Sequence, residues 1–193
     1  MDLGYLEYYL IAVNLTGFLF FLLNHRLRAH KAGRRGESVS MITALLGGSL
    51  GILAAILLFD RKAEKDNMMQ RVFVLCVFVI QTVAVLFIKG FHRDDINFAF
   101  WKLFYENKIL SVYLVSVNLI TLFAFGIDKF LAVRRRRRIR IVTLLGLSFL
   151  GGSIGGLVGM YAFRHKTKKD YFAFGIPLIL MMQMALIFYV INL

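Results

Sequence analysis

Leu46-Gly47-Gly48-Ser49-Leu50-Gly51 returns 104 residues later as Leu150-Gly151-Gly152-Ser153-Ile154-Gly155. What these two glycine-rich stretches do inside their apolar surroundings decides the fold. Extending the comparison outward without a gap, Tyr9 to Asp66 lies over Tyr113 to Asp170, with identity at 18 of 58 positions. Val13-Asn14-Leu15 then falls on Val117-Asn118-Leu119, Phe59 on Phe163, and Lys62, Lys65 and Asp66 on Lys166, Lys169 and Asp170. Self-similarity at a fixed offset is the signature of an internal repeat, and here each copy carries three apolar stretches. If all three cross a membrane, the odd number turns the second copy upside down, an inverted-topology repeat of the kind many transporters use.

Composition places the chain in a bilayer. Hydrophobic residues make up 59% of the 193 residues, with 19 Phe and a single Pro, above the roughly half apolar content of soluble domains. Val39 to Phe59, Val72 to Ile88, Ile109 to Ile127, Ile141 to Phe163 and Tyr171 to Leu193 contain no Asp, Glu, Lys, Arg or His, and Leu3 to Leu23 contains only Glu7. About 20 apolar residues suffice for a helix to cross a hydrocarbon core of about 30 Å. The expected architecture is therefore an all-α integral membrane protein of six transmembrane helices in two three-helix repeats. Residues 1–90 form the first repeat, 91–108 an amphipathic interfacial connector rich in aromatic residues, and 109–193 the second. The chain opens Met-Asp without a basic n-region, so the first stretch reads as a signal anchor. A lone cysteine, Cys76, excludes an intramolecular disulfide. His25, His30, His92 and His165 all lie between the apolar runs without metal-binding spacing, and no metal or cofactor is expected.

Two topologies compete. Gly47, Gly51 and Ala55, like Gly151, Gly155 and Gly159, recur every fourth position and would line one face of a continuous helix, the small-residue pattern that lets helix backbones approach in lipid. This spacing favours six crossings. The charges give that topology no support from the positive-inside rule, because Lys plus Arg then divide 13 to 11 between the two faces. If the glycine-rich stretches instead dip in and return, the loops 25–37, 60–71, 129–140 and 164–170, with five, four, seven and four basic residues, share one face. The division becomes 20 to 4.

Gly126-Ile127-Asp128-Lys129, the arginine run that follows, Leu150 to Met160, and Phe163-Arg164-His165-Lys166-Thr167-Lys168-Lys169-Asp170-Tyr171-Phe172 occur in an order and spacing that resembles the domain of unknown function 1294 family. The resemblance covers roughly residues 110 to 192. It implies a small prokaryotic membrane protein, multi-pass in the inner membrane, and brings no activity with it. The first half looks like a diverged copy, with Asn24-His25 where the second half has Asp128-Lys129, and Asp60-Arg61-Lys62-Ala63 where it has Arg164-His165-Lys166-Thr167.

Asn14 and Asn118 sit within apolar stretches, where an unpaired amide costs several kcal/mol, so each must face protein. They fix packing or line a polar pathway, together with Gly47, Gly48, Gly51, Gly151, Gly152, Gly155 and Gly159. With no ionisable group deep in any stretch, a carboxylate-relay pump is not expected. Asp128, Lys129, Arg164, His165, Lys166 and Lys168 are the candidates for holding an anion or headgroup, and Arg134 to Arg138 reads as an anchor on anionic lipid. Anionic headgroups are the expected partners, and a homo-oligomer is compatible with the sequence; nucleic acid is not expected, since no aromatics interleave the arginines. No catalytic residue is assigned. The leading expectation is a small channel or transporter with its pathway near the repeat interface. The alternatives are a non-catalytic membrane protein that binds anionic lipid or scaffolds a complex, and a lipid-modifying enzyme.

Overall fold

A computed structural model describes residues 4–28, 33–91 and 96–193, without the side chains of 27, 28, 33–37 and 102. Among the described residues every regular element is a helix. In order these are α1 (Tyr5–Arg28), α2 (Gly33–Thr43), α3 (Ser49–Phe59), α4 (Met68–Ile88), α5 (Phe100–Glu106), α6 (Lys108–Val133), α7 (Ile141–Leu147), α8 (Ser153–Ala162), α9 (Asp170–Ala173) and α10 (Gly175–Ile191). Six helical stretches are long and apolar enough to cross a membrane: Tyr5–Arg26, Ser38–Phe59, Met68–Ile88, Lys108–Val133, Ile141–Ala162 and Asp170–Ile191. The chain divides into two compact units, Met1–Thr82 and Val83–Leu193, the boundary falling inside α4.

The fifth stretch does not run straight. Gly151 has φ 114°, outside helical space and open to glycine without strain. At the two ends of the stretch, the Ile139 N–H and the His165 side chain both bond the same Asp128 carboxylate. A continuous helix would hold residues 139 and 165 roughly 39 Å apart. The Ser148 hydroxyl also lies 2.9 Å from where a Cβ on Gly156 would stand, which two turns of one helix do not allow. The stretch is a helical hairpin: α7 rises beside α6, the chain reverses through Ser148–Gly152, and α8 returns parallel to α6. The first unit has the same reversal at Ala44–Gly48, where Gly47 has φ 112°, between α2 and α3. The continuous glycine-faced helix expected from the four-residue spacing is thus replaced by a hairpin. Gly155 and Gly159 do lie on one face of α8, but Gly151 makes the turn.

A helix broken in an apolar environment leaves carbonyls and N–H groups that need partners. In the second unit Gln183 on α10 donates to the carbonyls of Ser148 and Phe149 (2.7 and 3.1 Å) and accepts from Ser153 Oγ at 2.5 Å. Tyr113 donates to Leu150 O at 2.7 Å, and Asn118 Nδ2 to Gly151 O at 2.9 Å. Asn118 Oδ1 receives the Gly155 N–H at 2.7 Å. The first unit makes nearly the same set. Gln81 donates to Ala44 O and Leu45 O and accepts from Ser49, Tyr9 donates to Leu46 O, and Asn14 Oδ1 receives the Gly51 N–H. A Cβ at Gly51 or Gly155 would overlap the carbonyl of Asn14 or Asn118, and one at Gly152 the Thr121 hydroxyl. Glycine is required there by closeness alone.

In the connector, residues 92–95, with His92, lie outside the described residues, as does His30; among the described residues helix runs over Phe100–Glu106, where Trp101 and Tyr105 are exposed. Buried Asn192 at the end of α10 ties the connector down, accepting the Asn97 N–H at 2.6 Å and donating to Asn97 O. His25 belongs to the last turn of α1 rather than to a loop.

Gly155→Ala is expected to lower the thermal unfolding midpoint in detergent sharply. Gly146→Ala, where nothing lies within 4 Å of the added methyl, should leave it unchanged. Asn118→Leu should cost about 1–3 kcal/mol through the unpaired Gly151 carbonyl and Gly155 N–H.

Candidate functional site

The open end of the second hairpin carries the chemistry. Asp128 sits about one turn before the end of α6 with its side chain fully buried. Its Oδ1 accepts the Ile139 N–H at 2.9 Å, and its Oδ2 meets His165 Nε2 and Lys166 Nζ, each at 2.8 Å. One carboxylate therefore joins α6, the entry to α7 and the exit from α8. His165 and Lys166 are themselves mostly buried, at 12% and 13% side-chain exposure. The Lys166 ammonium lies 4.8 Å over the Phe172 ring, which meets Phe125 edge-on at 5.6 Å. Burial pushes the Lys166 ammonium below the usual lysine range; Asp128 opposes that shift, and the positive charge of Arg138 adds to it.

The loops that converge here hold unusual backbone. Arg135 and Arg164 adopt left-handed φ of 53° and 46°. Each ends a helix where glycine is the common choice: the Arg135 and Arg136 N–H groups bond Ala132 O and Leu131 O, and those of Arg164 and His165 bond Tyr161 O and Met160 O. At the end of α4, Gly90 takes the same role. Lys166 is left-handed as well, at φ 63°. Three basic residues in a conformation that disfavours side chains, on the two loops that meet at the Asp128 carboxylate, mark a strained and strongly positive end.

Of the residues singled out from sequence, Asp128, His165 and Lys166 meet directly. Arg164 and Lys168 lie on the same loop, and Lys129 adjoins Asp128 on α6. Asn14, Asn118 and Gly47, Gly48, Gly51, Gly151, Gly152 and Gly155 gather at the far, closed ends of their hairpins, whereas Gly159 packs on Leu122 and Phe125 nearer the open end, and the bonds of both asparagine side chains are made to backbone of their own unit. Gln81, Gln183, Tyr9 and Tyr113 complete those ends. The two glutamines are 102 residues apart rather than 104, a two-residue slip beyond the region of gapless similarity, so their equivalence shows only in space.

Residues 118–172 match the model of a family described as protein of unknown function (DUF1294). Uncharacterized protein YsdA of Bacillus subtilis (strain 168) is 39% identical over 79 residues, 41% of this chain and 89% of that protein. The chain belongs to the DUF1294 family. The DUF1294 match opens at Asn118 and closes at Phe172, so it encloses the whole second hairpin, its asparagine clamp and the Asp128 cluster. No solved structure matches the chain.

Asp128→Asn is expected to destabilise the protein by about 3–5 kcal/mol, the range for breaking a buried pair from one side. Lys166→Met added to that variant should recover part of the loss. A double-mutant cycle on unfolding midpoints would read the coupling directly.

Proposed function

We propose that this is a multi-pass inner-membrane protein that binds anionic phospholipid headgroups at the basic end of its second unit. The observation that carries the reading is the convergence on Asp128. Because both ends of the hairpin meet there, the loops 129–140 and 164–170, with eleven Lys and Arg between them, lie at one end of the unit. Each basic residue near an anionic leaflet contributes about 1 kcal/mol. The hairpin's turn, level with Tyr113, stands about 22 Å from Asp128, short of a hydrocarbon core of about 30 Å.

We infer the membrane topology from the hairpins. Within each unit the first long helix runs from the closed end of the hairpin to its open end, the hairpin returns to where it began, and α4 or α10 runs back. On this reading each unit crosses twice, an even number, and returns the chain to the side on which that unit began. This even count stands in place of the odd one behind the inverted-repeat reading, and it places 20 of the 24 basic residues on the cytoplasmic face. A channel lined by Asn14 and Asn118 finds no support, since those amides hold hairpin backbone. The contact of Asp128 with His165 favours a second reading, a lipid-modifying enzyme with His165 as proton acceptor. His165→Gln would abolish turnover there while sparing headgroup binding.

Arg136→Cys and Lys168→Cys, each in a Cys76→Ser background, should label with an impermeant maleimide from the same, cytoplasmic side; labelling from opposite sides overturns the topology. Native mass spectrometry should show phosphatidylglycerol retained over phosphatidylcholine, and equal retention refutes headgroup selection. Arg135→Gly and Arg164→Gly should raise stability by about 1 kcal/mol each by relieving left-handed strain, yet lower phosphatidylglycerol retention. A purely structural role for these arginines would not produce that split.

A further inference from the structure

The first unit differs from the second at the open end of its hairpin. Where Asp128 supplies a carboxylate to His165 and Lys166, the position 104 residues earlier is Asn24, an amide, and the matching cations are Arg61 and Lys62. The buried side-chain nitrogens Asn24 Nδ2, His25 Nδ1 and Arg71 Nε have no hydrogen-bond partner. Asn24 Nδ2 and Arg71 Nε donate, and His25 Nδ1 donates in its Nδ1–H tautomer, so these are positions an added oxygen acceptor would satisfy, and each donor left unpaired costs about 1–3 kcal/mol. Of these three residues His25 also lines a cavity of about 480 Å³, together with Arg61, Lys62, Glu64 and Asp66, with Leu58 and Phe59 on its apolar side.

The charges around this cavity balance. Asp60, also in the lining, is held by Arg71 at 3.3 Å and by Asn67 Nδ2 at 3.1 and 3.0 Å. Among the described residues the side chains of Arg61, Lys62, Glu64 and Asp66 make no ion pair, which leaves two cations and two anions facing one space. The second unit has Lys168 where the first has Glu64 and is almost uniformly basic there. A net anion would meet the repulsion of Glu64 and Asp66; a molecule with a phosphate and an ammonium a few bonds apart satisfies both pairs. The apolar side of the cavity sits at the end of α3, where a lipid's glycerol and upper acyl chain would lie.

We propose that this cavity is a second lipid site, one that takes a zwitterionic phosphate–ammonium headgroup of the phosphatidylethanolamine type. The phosphate faces Arg61, Lys62 and His25 in place of the carboxylate that Asp128 supplies in the second unit, and the ammonium faces Glu64 and Asp66.

The test is native mass spectrometry of the full chain in detergent with phosphatidylethanolamine, phosphatidylglycerol or inorganic phosphate as separate probes. The wild type should retain one phosphatidylethanolamine that Asn24→Asp, which restores an internal carboxylate, weakens by about tenfold or more. Arg61→Gln with Lys62→Gln, on the exposed loop, should do the same without disturbing the helices. Glu64→Gln with Asp66→Asn should shift this site's preference towards phosphatidylglycerol. Lys168→Gln, in the second unit, should leave phosphatidylethanolamine retention unchanged, which separates this site from the anionic one. Retention indifferent to Asn24→Asp and to the Arg61 and Lys62 pair overturns the proposal. So does a wild type in which phosphatidylglycerol competes equally at the site that those variants weaken, or one in which inorganic phosphate alone binds there.

Discussion

The whole arrangement depends on satisfying the backbone where a helix turns round among apolar side chains. Water is absent there, so the carbonyls that end α7 and the N–H groups that begin α8 must find donors and acceptors within the protein. Gln183, Tyr113 and Asn118 supply them, and Gln81, Tyr9 and Asn14 do so in the first unit. The clamps work only at short range, which explains why Gly51 and Gly155 carry no side chain: α1 and α3, like α6 and α8, touch backbone to backbone. Close packing and polar satisfaction are one constraint here. The asparagine that bonds the glycine N–H offers its own carbonyl as the surface against which that glycine packs.

The opposite end of each hairpin obeys a different rule. It lies where charge can be hydrated, and the second unit closes it with a buried carboxylate shared by a main-chain N–H, a histidine and a lysine. Such a cluster contributes little net stability, because desolvation offsets most of the attraction, but it fixes geometry. It brings two arginine- and lysine-rich loops together and keeps them there, with Arg135 and Arg164 in backbone conformations that glycine would adopt more cheaply. The first unit has the same hairpin without the carboxylate, and its open end keeps a cavity and unpaired donors instead. A shared framework with divergent open ends is what two lipid sites of different charge would require.

The sequence showed much of this, and misled at one point. The apolar runs, the offset of 104, the asparagines within apolar stretches and the basic loops were all legible, because each depends on local composition or on spacing. The four-residue period of the glycines pointed to a continuous helix, since residues four apart share a helical face. In the structure Gly155 and Gly159 do share one, while Gly151 belongs to the reversal, and the spacing alone does not separate these roles. The division of basic residues, 20 to 4 against 13 to 11, already favoured the hairpin. The asparagines were rightly placed facing protein, but whether they lined a pathway or held backbone depended on partners 33 and 37 residues away.

By itself the sequence determined that the protein is helical, that it is a membrane protein, that its halves are similar and where its charge lies. Hydrophobic burial and helix length act over about 20 consecutive residues and can be read from them. Only the tertiary structure decided that the glycine-rich stretches fold back and that Asp128, His165 and Lys166 form one cluster. Both outcomes turn on the backbone angle of a single glycine and on bonds between residues 30 or more apart, and no window of local sequence holds either.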